Sequence, residues 1–227
     1  SLDVGMAWLL LLICILMQAS VNTFNDYFDF IKGTDTAEDN VEASDSVLVY
    51  NDVNPRSALG LAIGFLAVAF LLGLYVIWKA GPVPLVIALI GAVIVVMYSG
   101  GKTPLSYLPV GEAVSGIVMG GLIPLACYQV LSGTFTFIAL LWATPTIIGV
   151  GLIMMTNNTC DIEKDIEASR RTLPVLLGRE KARSLYHGLM IVWVVAILAI
   201  VAIWFPRGIV VLPFLALGCY PLMMGLW

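Results

Sequence analysis

Apolar residues fill this chain in seven long blocks, about 4–24, 57–78, 83–99, 111–131, 136–156, 184–204 and 209–227, and the polar positions gather between them. A hydrocarbon core about 30 Å thick takes about 20 apolar residues per helix, and each block meets or approaches that length. The blocks hold most of the chain, so the pattern predicts an all-α, polytopic transmembrane helical bundle. The shorter segments of alternating polarity that build a membrane β-barrel are not seen. Ser1 is not a start residue, and the first block opens almost at once, without the charged n-region and cleavage site of a signal peptide. The last block runs into Trp227. These ends predict one transmembrane domain over 1–227, truncated at both termini.

Composition agrees with the pattern. Of 227 residues, 60% are hydrophobic and 11% charged, against roughly 25% charged in a soluble domain. Pro124 and Pro145 fall inside blocks, where proline kinks a helix or opens a cavity. Gly60/Gly64 and Gly116/Gly120 have a small-xxx-small spacing that permits close helix approach. Cys14, Cys127, Cys160 and Cys219 form no Cys-x-x-Cys pair and read as small apolar residues. His187, the only histidine, opens a block and reads as structural or interfacial.

Charge orders the picture further. Seven spans put 25–56, 100–112 and 157–183 on one membrane side, and the N-terminus, 79–82, 132–135 and 205–208 on the other. Nine of the eleven lysines and arginines lie on the first side, leaving Lys79 and Arg207 on the second. The positive-inside rule makes the first side cytoplasmic. Fourteen of the fifteen acids lie there too, with Asp3 the exception. Acids contribute little to orientation, so their gathering needs a chemical reason.

The first span ends in Asn22-Thr23-Phe24-Asn25-Asp26-Tyr27-Phe28-Asp29, and Asp35 follows just past Gly33. At about 100° per residue, Asn22, Asn25, Asp26 and Asp29 share one helix face, an arc of about 100°. The fifth span ends in Asn157-Asn158-Thr159-Cys160-Asp161-Ile162-Glu163-Lys164-Asp165. There the same arithmetic puts Asn158, Asp161 and Asp165 on one face. The likeness suggests a repeated helix-plus-motif unit. Two carboxylates about 5 Å apart repel by roughly 3 kcal/mol at an effective dielectric of 20, so such a cluster calls for cations. Oxygen donors without histidine or thiolate select magnesium, manganese or calcium. Magnesium is commonly shared with substrate phosphates, which makes a diphosphate the natural third party. Lys32, Lys102, Arg170 and Arg171 lie on the same side and can offset its charge, arginine as a bidentate fork and lysine as a point charge. Arg179, Lys181 and Arg183 fit better as anchors on a surface helix beginning near Gly178.

These motifs resemble the UbiA superfamily of intramembrane prenyltransferases. The likeness is carried by Asn25-Asp26-Tyr27-Phe28-Asp29, by Asp35, by Asn158-x-x-Asp161-x-x-x-Asp165, and by the run Arg171-Thr172-Leu173-Pro174-Val175-Leu176-Leu177-Gly178. Family members have nine spans, and this chain would hold the second through the eighth. The resemblance implies Mg2+ held by Asn25, Asp26, Asp29, Asp35, Asn158, Asp161 and Asp165. It implies diphosphate contacts from Lys32, Lys102, Arg170 and Arg171, and a catalytic set of Asp29, Asp161, Asp165 and Tyr98. Tyr98 stands four residues before Lys102 and would line the cation pocket. The implied donor is a polyprenyl diphosphate and the implied acceptor a small aromatic ring, with lipid as surroundings and no nucleic acid. Many members carry a third carboxylate where this chain has Gly33. The wider step from Asp29 to Asp35, and the segment from Tyr98 to Glu112, resemble the branch that prenylates 1,4-dihydroxy-2-naphthoate for menaquinone synthesis.

The expectation is an integral protein of a bacterial or archaeal cytoplasmic membrane with its site facing the cytoplasm. Two alternatives stand beside it. One is the same chemistry on 4-hydroxybenzoate, homogentisate, haem or a glycerol phosphate lipid. The other is a cation transporter, although transporter sites usually lie near the bilayer midplane rather than at helix ends.

Overall fold

The structure, a computed structural model, describes residues 3–32, 48, 53–99, 103–213 and 217. Among them every regular element is helical. In chain order they are α1 (Val4–Lys32), α2 (Pro55–Ala80), α3 (Val83–Ser99), a 3-10 turn (Leu105–Tyr107), α4 (Gly111–Ser132), α5 (Ile138–Trp142), α6 (Thr144–Cys160), α7 (Ile162–Glu167), α8 (Leu173–Leu177), α9 (Arg179–Trp204) and a second 3-10 stretch (Pro206–Val211). Four of them, α1 over Val4–Phe28 together with α2, α4 and α9, are long and apolar enough to cross a membrane. With this helical make-up the chain is an all-α integral membrane protein.

Of the three remaining apolar blocks, 83–99 forms the 17-residue α3. The block 136–156 is split at Ala143 into α5 and α6, and α6 continues to Cys160. Pro145 is the reason for the split. It sits in the first turn of α6, where no amide donor is needed. Proline therefore starts a helix here instead of kinking one. Most of 209–227 lies outside the described residues.

The chain divides into two compact units. The first comprises Ser1–Val86 with Gln129–Thr134. In it α1 packs along α2, and the buried face of α2 is Ala62, Ala69 and Val76. These small side chains repeat every seven residues, the period that keeps one helix stripe against a neighbour. The buried Ser20 hydroxyl donates to the Ala62 carbonyl at 2.8 Å. Pro55 opens α2, with the Asn54 side chain accepting from the Arg56 amide, and Gly81 ends it at a φ of 86°, favoured by glycine. Near that end Trp78 is 75% exposed and Lys79 lies over its ring at 5.2 Å, an arrangement typical of a membrane–water interface. At Gly60 and Gly64 an added Cβ would meet nothing within 4 Å. Among the described residues, that pair does not mark a close helix approach.

The second unit comprises Ile87–Tyr128 with Phe135–Trp227. Here the glycine motif does mark one. A Cβ on Gly116 would come 2.5 Å from the Ile147 carbonyl, and one on Gly120 would come 2.5 Å from the Thr146 carbonyl. Helix α4 therefore lies with its backbone against that of α6. A π-helical stretch, Val118–Leu122, interrupts α4 within this contact and precedes Pro124. On another side of α6, Trp193 of α9 donates its indole N–H to the Pro145 carbonyl at 2.8 Å.

Candidate functional site

The first motif belongs to the first unit. Helix α1 runs unbroken to Lys32, eight residues beyond the end expected from hydropathy, so the wheel arithmetic holds along the whole motif. At 1.5 Å per residue this helix is about 43 Å long, against about 30 Å of hydrocarbon, so one end of it projects into the interfacial region. Gln18 donates its side-chain amide to Asn22 Oδ1 at 2.8 Å, and the Thr23 hydroxyl donates to the Ala19 carbonyl at 2.8 Å. Asp26 is half-buried. Asn25, Asp29 and Lys32 are placed along α1 by backbone alone, their side chains lying outside the description. Asp35 and Lys102 lie outside the described residues. Tyr98 is half-buried in the last turn of α3.

The second motif belongs to the second unit and is not one straight helix. Helix α6 ends at Cys160, Asp161 leaves helical geometry at φ −98°, ψ 19°, and α7 begins at Ile162. Thr156 and Thr159 donate their hydroxyls back to the Leu152 and Met155 carbonyls, at 3.0 and 2.6 Å, a pattern that bends helices. The bend separates the motif's acids. Asp161 is exposed, whereas Asp165 is 3% exposed.

Asp165 is held within its own loop. Thr172 donates its hydroxyl to Asp165 Oδ2 at 3.0 Å, and Arg170 Nη1 lies 3.4 Å from Oδ1. The Arg170 amide donates to the Asp165 carbonyl at 2.8 Å. Arg170 in turn lays its guanidinium over the Tyr107 ring at 4.9 Å, and the Arg171 amide donates to the Tyr107 carbonyl at 2.8 Å. Arg170 keeps 40% of its side chain exposed. A guanidinium has five N–H donors, so these contacts fix its direction without consuming its capacity for an anion. Arg171 is exposed. Arg179 begins α9 directly after Gly178, so Arg179, Lys181 and Arg183 lie in the first turns of a helix long and apolar enough to cross a membrane and not on a separate surface helix. Arg179 pairs with Glu163 at 2.7 Å on the exposed surface, where an ion pair contributes roughly 0–1 kcal/mol.

Asn158, in the last turn of α6, makes the contact that sequence reasoning missed. Its side-chain N–H donates to Glu112 Oε1 at 2.8 Å. Glu112 stands in the first turn of α4 and is 5% exposed. Its other oxygen, Oε2, is buried and has no hydrogen-bond partner among the described residues. The available signal was an ionisable residue opening an apolar span. Thr172 and Tyr107 lie in stretches that carry the family resemblance, but the sequence assigned neither side chain a role. Among the described residues no three acidic, histidine or cysteine side chains come together as a metal site, but Asn158, Asp161, Asp165 and Glu112 all offer hard oxygen donors. An orphaned buried carboxylate oxygen beside an amide fits a divalent cation or another positive group.

The model of the UbiA prenyltransferase family matches residues 1–227. The chain belongs to the UbiA prenyltransferase family. Two similar proteins are both named 1,4-dihydroxy-2-naphthoate octaprenyltransferase. That of Bacillus subtilis (strain 168) is 32% identical over 187 residues, covering 81% of this chain and 60% of that protein. That of Mycobacterium tuberculosis (strain ATCC 25618 / H37Rv) is 28% identical over 221 residues, covering 96% of this chain and 75% of that protein. The chain thus spans about three fifths of the first relative's length. UbiA membership favours a prenyltransferase over a transporter.

Proposed function

We propose that this protein is an intramembrane prenyltransferase that moves a polyprenyl group from its diphosphate to 1,4-dihydroxy-2-naphthoate. The observation that carries the reading is the family match over residues 1–227, in a chain whose second motif sets Asp165 against Arg170. The acceptor is supported by the names of the two relatives and by the wide step from Asp29 to Asp35.

In this reading Asn25, Asp26, Asp29, Asp35, Asn158, Asp161 and Asp165 would hold Mg2+. When bound, the metal supplies Lewis-acid stabilisation of the diphosphate leaving group. The chain's own residues do the rest. Arg170, oriented by Asp165 and Tyr107, and Arg171 offset negative charge that develops as the allylic carbon–oxygen bond breaks. Lys32 and Lys102 add to that field. The apolar spans house the isoprenoid tail and keep water from the allylic cation, and Tyr98 lines its pocket. The electron-rich ring attacks at the carboxylated carbon, and loss of carbon dioxide, whose bonding electrons return to the ring, restores aromaticity and leaves both phenolic hydroxyls in place. The split of basic residues supports a cytoplasmic-facing site.

The test is product analysis with membranes carrying the full chain, a labelled polyprenyl diphosphate, and dihydroxynaphthoate and 4-hydroxybenzoate in competition. The expected product is a decarboxylated, prenylated naphthoquinol, formed with magnesium and not with a chelator. A hydroxybenzoate adduct alone would overturn the acceptor, and undiminished turnover in chelator would overturn the metal.

A further inference from the structure

The geometry points to Glu112 as the positioning residue that turns Asn158 into an oxygen donor for a divalent cation, an inference that rests on the metal reading above. A side-chain amide has two unlike ends, a carbonyl oxygen that ligates hard cations and an NH2 that cannot. Rotation about its last bond exchanges them. A carboxylate only accepts hydrogen bonds, so the contact from Asn158 Nδ2 to Glu112 Oε1, at 2.8 Å, settles which end faces which way. The NH2 is drawn to Glu112, and Oδ1 is turned from it, with no hydrogen-bond partner among the described residues.

The spacing of the two residues is fixed by their backbones. They stand on α4 and α6, which touch at Gly116 and Gly120 with no room for a side chain, while Gly151 has a would-be Cβ 3.5 Å from the Glu112 carbonyl. Burial strengthens the contact, because a hydrogen bond to a charged group is stronger away from water. Burial also leaves a deficit, since Glu112 Oε2 has no donor among the described residues. A buried carboxylate with an unanswered oxygen is costly by itself. Glu112 acts by orienting Asn158, without having to ligate the metal.

The experiment measures Mn2+ binding to the full chain in detergent by electron paramagnetic resonance, with thermal melts to establish folding. Loss of an outer partner of a metal ligand typically weakens binding by about 10- to 100-fold, and Glu112→Ala is expected in that range. Glu112→Gln keeps an oxygen that accepts from Asn158 and is expected to bind like the wild type. In an Asn158→Ala background, Glu112→Ala is expected to cost nothing further. Unchanged binding in Glu112→Ala would overturn the inference. So would a Gln variant as weak as the Ala variant, which would make Glu112 a ligand or a bare charge, or additive losses in the double variant. Failure of the wild type itself to bind Mn2+ would instead remove the metal reading, and this inference with it.

Discussion

Gly120→Ala tests the architecture on which both halves of the second motif depend. The added Cβ would sit 2.5 Å from the Thr146 carbonyl and 2.6 Å from the Ile147 amide, against an ordinary contact of about 3.5 Å. Both obstacles are backbone, so no side chain can rotate away and the helices must part by roughly 1 Å. Overpacking of this kind costs about 1–3 kcal/mol. For a chain of this size each kcal/mol lowers the melting temperature by roughly 2–4 °C, giving an expected loss of about 2–12 °C in detergent. Prenyl transfer is expected to fall as well, because Glu112 and Asn158 lie across the same helix contact and their 2.8 Å bond would lengthen. The internal control is Gly60→Ala or Gly64→Ala. Among the described residues an added Cβ at either site meets no neighbouring element within 4 Å, and alanine removes a mid-helix glycine cost of about 0.5–1 kcal/mol. Those variants should melt at or above the wild-type temperature. A Gly120→Ala protein as stable and active as the wild type would refute the packing of α4 on α6.

Three further outcomes are expected. Asp29→Asn and Asp161→Asn should each abolish turnover while leaving the melting temperature near wild type. Near-normal rates in either would rule out a two-motif metal site. Lys102→Ala should raise the Michaelis constant for the prenyl diphosphate far more than that for the aromatic acceptor, and unchanged donor kinetics would return Lys102 to an anchoring role. Single cysteines placed at Lys79 and Arg207 should label from outside intact cells, and one at Arg179 should not; the opposite pattern would invert the topology.

How far the sequence reaches can be judged from its two glycine pairs. Gly60/Gly64 and Gly116/Gly120 share one spacing, yet among the described residues only the second pair faces a neighbouring backbone. The spacing says that an approach is sterically possible, while its partner is chosen by tertiary packing, which a linear pattern does not encode. The long helices were legible because their length and apolar content are imposed by the bilayer. Their ends were less so. Helix α1 extends to Lys32 through Asn25, Asp26 and Asp29, since polar residues end an apolar block without ending a helix. Within the site, the Glu112–Asn158 bond joins residues 46 apart, a separation that one sequence gives no means to bridge.

The second motif shows a different limit. Treated as equal steps of about 100°, Asn158, Asp161 and Asp165 form one face. That arithmetic assumes an unbroken helix, and Thr156 and Thr159 bond back to the carbonyls four residues earlier just before the chain bends at Asp161. Two acids that look interchangeable in the sequence then receive opposite surroundings. Asp161 is exposed, while Asp165 is buried and accepts from Thr172 and Arg170. For Asp165 the charge is already answered by a guanidinium, and that guanidinium is in turn aimed by the Tyr107 ring. In the proposed reading, an aspartate so placed acts on the diphosphate through the arginine it orients. Asp161 has no such intermediary in its loop, so its charge is the one more directly available to a cation. The motif thus pairs a carboxylate that organises positive charge with one that can attract it, the two capacities that the proposed diphosphate–metal complex would need.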